Sequence, residues 1–205
     1  MAGIEPIEAE ALLIVEGKTD KGFFRGLLRE IGLTGIQVLD LEGAGNLAVF
    51  LETLDVTPGF HENVSSVGIV LDADAAEDDA FQAVCDALDN AGWSVPAAVE
   101  TPTGDAPQVA VLILPGAGQP GMLEDLILES LASNPILACV DAFFACLPAP
   151  AVPPPNKRAK ARVATVLSSG SRPGRPVHIA SLPGYGYWSW TSPAFDGAKE
   201  FLRSL

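Results

Sequence analysis

Two apolar runs in this chain end in carboxylates. Leu12 to Asp20 reads LLIVEGKTD, and Val67 to Asp78 reads VGIVLDADAAED. A short β-prone run closing on acids predicts a buried parallel strand that delivers them to its C-terminal edge, where open α/β sheets hold their ligands. Carboxylates gathered there repel one another and call for a divalent metal, a shared proton or a cationic ligand. Asp72 and Asp74 stand two residues apart, which lets both point the same way off a strand end and grip one Mg²⁺. Asp20 lies four residues beyond Glu16. It either returns over the same site or serves as a first-turn helix acid, favoured there by the helix dipole. Glu124 and Asp125 follow the loop PGAGQPG and suit a second metal position, or the same dipole compensation. The expected ion is Mg²⁺ or Mn²⁺, because all these donors are hard oxygens.

The elements that must position these acids alternate along the chain. Strands are predicted at Ala11 to Val15, Ile36 to Leu41, Val67 to Leu71 and Val109 to Leu114. Helices fall between them, at Asp20 to Ile31, near Leu47 to Leu54, and at Ala76 to Ala91. Such alternation defines βαβ units and a mainly parallel sheet. Beyond Gly121 the pattern turns helical, at Met122 to Leu131 and Pro135 to Leu147. The spacer Pro148 to Asn156 reads as polyproline-like, with Asn156 expected to cap a helix from Lys157 to Leu167. Ser192 and Pro193 open a last helix with Phe195, Ala198, Leu202 and Leu205 on its apolar face. The expected organisation is an α/β core over residues 10–118 and a helical C-terminal extension over 119–205, packed as one globular unit.

The 205 residues carry a net charge of −14, which hides a strong polarity. No Lys or Arg occurs between Arg29 and Lys157, while nineteen Asp or Glu do. The rest of the chain holds all twelve basic residues against seven acids. This describes an acidic centre flanked by basic segments able to hold phosphates. Lys157, Arg158, Lys160 and Arg162 are the candidate nucleic-acid contacts, and the plain alternative is a solvated helix face. Hydrophobic content of 48% argues for a folded globule, and no apolar stretch is long enough to span a membrane. The acidic N-terminus does not read as a signal peptide, and three cysteines without metal-ligand spacing suit a reducing cytoplasm. Cys139 and Cys146, in an apolar segment, are expected to be buried. His61 and His178 have no partner pattern. Tyr185, Tyr187, Trp188 and Trp190 are expected to pack beside the last helix rather than to stack on bases.

With these residues in view, VEGKTD before a helix and LDAD closing a later strand resemble the Toprim fold of topoisomerases, primases and related nucleases. The EGxxD form (Glu16, Gly17, Asp20) is most similar to the Toprim domains of overcoming-lysogenisation-defect nucleases. The stretch PGMLEDLIL also resembles small stand-alone Toprim-like proteins. The resemblance covers about residues 10 to 130. It implies a metal-dependent hydrolase acting on nucleic-acid phosphodiesters, with Glu16 as metal ligand or catalytic acid/base. It also implies Gly17, Lys18, Gly43, Gly45 and Asn46 as residues lining the site. The family's nucleases use a lysine downstream of the acids, and no motif in this sequence fixes which one.

Two rivals stand beside this reading. Gly43, Gly45 and Ala48 formally match a dinucleotide-binding turn, which leaves Glu16, Asp20 and Asp74 unexplained and follows the second strand instead of the first. The other rival is a non-catalytic Toprim-like module that binds metal, or simply another protein, and works through that partner.

Overall fold

The computed structural model describes residue 4 and residues 6–169 and 189–205. Four strands form one parallel sheet in the order β2-β1-β3-β4: β1 Ala11–Val15, β2 Ile36–Asp40, β3 Ser66–Asp72 and β4 Gln108–Leu114. All five residues of β1 are buried, as a strand covered on both faces requires. Val15 lies opposite Asp40 on one side and Val70 on the other, while Asp72 lies opposite Leu114. The chain therefore leaves β1 outward to β2 and returns across β1 to β3. That reversal between β1 and β3 is the switch point at which open α/β sheets form a crevice.

The helices divide into two layers. α2 (Leu47–Asp55), α3 (Phe60–Asn63) and α4 (Glu77–Asn90) cover one face of the sheet through Leu51, Leu54, Phe60, Val84 and Leu88. The other face is covered by α1 (Lys18–Ile31), α5 (Leu123–Ser130), α6 (Pro135–Ala145), α7 (Pro155–Ser168) and α8 (Asp196–Arg203). Phe23 and Phe24 of α1 are fully buried in this second core, and Phe23 packs edge-on against Phe195 at 5.4 Å between ring centroids. Burying such a side chain contributes about 1.5–3 kcal/mol. Trp190 tilts against the same two rings, Phe23 and Phe195, so it packs beside the last helix as expected. Tyr185, Tyr187, Trp188 and His178 lie outside the described residues.

Several boundaries differ from the sequence reading, each for a local reason. α1 starts at Lys18, with extended Gly17 as its cap, so Asp20 is its third residue. α7 starts at Pro155, and Asn156 lies within its first turn instead of capping it. A proline at the first helical position loses no hydrogen bond and has its φ preset, so the proline run enters the helix instead of stopping before it. Cys139 and Cys146 are exposed, contrary to expectation, because the face of α6 that packs inward carries Val140. Among the described residues no helix is long and apolar enough to cross a membrane.

Candidate functional site

Glu16 directly follows β1, and Asp72 is the last residue of β3, so the two flank the switch point. Between them opens a pocket of about 250 Å³ lined by Glu16, Asp20, Asp72, Glu124 and Lys160, with Gly17, Lys18, Thr19 and Gly43 completing its wall. Four elements and one turn contribute the acids and the cation. The turn after β1 and the first turn of α1 supply Glu16 and Asp20, β3 supplies Asp72, α5 supplies Glu124, and α7 supplies Lys160.

Local hydrogen bonds hold this geometry. The backbone N–H of Leu123 donates to Asp72 Oδ1 at 2.9 Å, tying the start of α5 to the end of β3. Asp125 caps the same helix, its Oδ2 accepting from the N–H of Met122 at 3.0 Å. Gly43 N–H donates to the Glu16 carbonyl at 2.9 Å, and its φ of 122° is a conformation that L side chains rarely adopt. The Asn46 side chain donates to the carbonyls of Leu41 and Glu42, which shapes the turn that presents Gly43.

Some predicted site residues stand apart from this pocket. Asp74 does not line it. The chain leaves the extended conformation after Asp72, and Asp74 sits at φ 49° with its backbone paired to Gly121 in both directions, at 2.8 and 3.0 Å. The two-residue alternation that would align Asp72 and Asp74 holds only while the strand continues. Asp125, Gly45 and Asn46 are likewise outside the lining, as are Lys157, Arg158 and Arg162. Lys157 and Arg158 are exposed on α7, and Arg162 pairs with Asp141 of α6 at 2.8 Å. Thr19 lines the pocket without having been singled out in the sequence, where no signal marked it.

Burial, then crowding, sets the electrostatics. Burial pushes the Asp72 carboxyl up to about 8; Asp20 adds to the rise, the Leu123 N–H opposes it, and Glu16 and Glu124 add further. Burial likewise pushes Asp20 up to about 6, reinforced by Glu124 and Glu16 against a backbone hydrogen bond. Glu124 is raised by burial first and drawn down by Lys160. Burial works against the Lys160 ammonium, but Glu124, Asp72, Glu16 and Asp20 outweigh it and raise its pKa. Lys160 thus supplies one positive charge facing four carboxyl groups. Among the described residues no three carboxylate, imidazole or thiol groups form a ready-made metal-ligand cluster. The donor chemistry nevertheless fits a hard dication. All the acids are oxygen donors, and a second source of positive charge would let Asp20 and Asp72 both ionise at neutral pH.

Fold and pocket together define an α/β protein with a parallel four-stranded sheet and an acidic crevice at its switch point. The chain belongs to the family described as protein of unknown function (DUF3226), whose model matches residues 10–205. Among solved structures, it is similar to the C-terminal region of the Burkholderia pseudomallei OLD protein. The TM-score is 0.50 at 14% identity, covering 97% of this chain and 98% of that one. A second likeness is to the C-terminal region of the Xanthomonas campestris pv. campestris OLD protein, with a TM-score of 0.49, 13% identity and coverage of 96% and 95%. The first likeness establishes a shared fold, and the second carries no argument. No curated protein matches the chain.

Proposed function

We propose that this protein is a divalent-metal-dependent hydrolase of nucleic-acid phosphodiesters with a Toprim-like site, working in the cytoplasm. The observation that carries the reading is the convergence of Glu16, Asp20, Asp72, Glu124 and Lys160 in one crevice at the switch point. Asp20, Asp72 and Glu124 would hold Mg²⁺ or Mn²⁺. When bound, such an ion polarises a phosphoryl oxygen and lowers the pKa of a bound water.

The remaining roles follow from chemistry at each position. Asp72 has one oxygen fixed by the Leu123 N–H, which orients the other toward a ligand. Glu16 lies at the strand end facing the same space and serves as general base for the attacking water, or as acid for the leaving oxygen. Lys160 lines the same pocket as Glu16 and pairs with charge that develops on the phosphate, a task suited to an ammonium kept protonated by its acidic neighbours. Gly17 and Gly43 keep the rim low, so a backbone phosphate can approach the acids. Asp74 and Asp125 act one step away, by holding the loop around Gly121 and the start of α5.

A second reading keeps the pocket but not the reaction. Because no compact three-ligand cluster stands ready among the described residues, a non-catalytic module that works through a protein partner also fits. Incubating the purified protein with labelled single- and double-stranded DNA and RNA in Mn²⁺ separates the two. Cleavage that disappears in folded Glu16→Gln supports the hydrolase. Intact substrates with wild-type protein favour the module.

A further inference from the structure

Every Lys and Arg among the described residues lies on one face of the sheet. The ten are Lys18, Lys21, Arg25 and Arg29 on α1, four on α7 and two on α8. The helices of the opposite face, α2, α3 and α4, carry eight Asp or Glu and no Lys or Arg. The acidic pocket is therefore lined from two basic helices, by Lys18, Thr19 and Asp20 of α1 and by Lys160 of α7. α7 was singled out in the sequence as a phosphate contact; on α1 only Lys18 was, and the cations beyond it extend that position into a regular row.

At 100° per residue, Lys18, Lys21, Arg25 and Arg29 fall within about 80° of the helix circumference, opposite Phe23 and Leu27. They span twelve residues, or about 16 Å, long enough to meet several successive phosphates of one strand. The row starts inside the pocket, whose wall includes Lys18. It continues beside a cleft of about 540 Å³ between α1 and the edge strand β2, lined by Lys21, Arg25, Gln37 and Glu8 among others. Lys21 is anchored to Asp40 at 2.9 Å, and Lys18, Arg25 and Arg29 make no ion pair with described residues. Three exposed cations thus lead out from the pocket in a line, none of them held in an ion pair with a described carboxylate.

We infer that the row Lys18, Arg25 and Arg29 on α1 is a phosphate track that guides a nucleic-acid backbone into the acidic pocket. The anionic layer of α2, α3 and α4 turns the substrate away from the far side of the sheet. The inference deepens the hydrolase reading and rests on it for the identity of the polyanion.

Fluorescence anisotropy with a fluorescein-labelled thymidine oligonucleotide in Ca²⁺, titrated with salt, tests the track. Arg25→Ala combined with Arg29→Ala should weaken binding roughly tenfold and lower the salt slope by about 1.5, as expected for two lost phosphate contacts. Asp86→Asn with Asp89→Asn, on the acidic layer, should leave that slope unchanged. The inference is overturned if the arginine variant keeps the wild-type slope, if the α4 variant alters the slope as much, or if wild-type protein does not bind. Cleavage in Mn²⁺ keeps the two claims apart. A wild-type slope in the arginine variant, with cleavage still lost in Glu16→Gln, removes the track and leaves the hydrolase. Binding through Arg25 and Arg29 without any cleavage by wild type keeps the track and removes the hydrolase.

Discussion

The backbone N–H of Leu123 donates to Asp72 at 2.9 Å, so the acid that ends β3 also fastens the start of α5. One consequence is that Glu124, the next residue, is brought buried into the same pocket. Strand end, helix start and acid cluster are therefore a single mechanical unit.

This coupling predicts an unusual pH dependence of the metal-free fold. The Asp72 carboxyl is raised to about 8 and Asp20 to about 6, each from an unfolded value of 3.8. Between the unfolded and folded values the native state binds more protons than the unfolded chain, so stability falls as pH rises. The contribution is greatest below pH ~4, declines through both acids to pH ~6 and through Asp72 alone beyond it, and is lost by pH ~8. Chemical denaturation from pH 5 to 9 in EDTA should show this decline. Asp20→Asn with Asp72→Asn should flatten it and be the more stable protein at pH 8, since Asn at position 72 can still accept from Leu123.

Divalent metal should reverse the trend. A cation that binds only the folded state at a hundred times its Kd adds about 2.7 kcal/mol, which for a chain of this size is a rise of roughly 5–10 °C in Tm. The rise should be larger at pH 8 than at pH 6, because protons and the dication compete for the same oxygens. Differential scanning fluorimetry with and without Mn²⁺ reads it directly, and the Asp20/Asp72 double variant should show little of it.

Lys160 offers a separable test. Lys160→Met should reduce cleavage by about 10²–10³-fold, the scale of losing one group that stabilises a developing charge. It should also steepen the fall in metal-free stability with pH, because the Asp20 and Glu124 carboxyls lose the cation that draws them down. A variant that loses cleavage without changing that slope would place Lys160 outside the carboxylates' field.

Much of this was legible in the sequence, and the reason is local. Strand-length apolar runs ending in acids announced β1 and β3, and the alternating pattern announced a parallel sheet with helices on both faces. Glu16 and Asp72 could be read because a strand end is a directional signal. Asp74 was read from strand periodicity, which had lapsed two residues after the end of β3, where the chain turns to a positive φ and pairs with Gly121. Lys160 was visible as a basic helix residue, but its place in the pocket with Glu16 depends on α5, α6 and a proline-rich connection folding back over the sheet. No local pattern encodes that. The same holds for the row on α1, whose meaning depends on where the helix lies relative to the pocket.

The loop before α5 that pairs with Asp74 gives a stability prediction that can be read without metal. Gly121 has φ 139°, and an added Cβ would sit 2.8 Å from Asp125 Oδ2, the oxygen that caps α5. Gly121→Ala should therefore cost about 1–3 kcal/mol, measured by urea denaturation, and should weaken the metal response by shifting the start of α5.

The central claim is that the carboxylates of this crevice drive phosphodiester cleavage, and plasmid nicking in Mn²⁺ tests it most directly. Wild-type protein and Asp72→Asn would be compared on the same supercoiled substrate, each first shown to be folded by circular dichroism. The account predicts nicking by the wild type, its loss on EDTA addition, and a reduction of at least about a hundredfold in Asp72→Asn. Equal nicking by the two proteins, or none by the wild type in Mn²⁺, would contradict it.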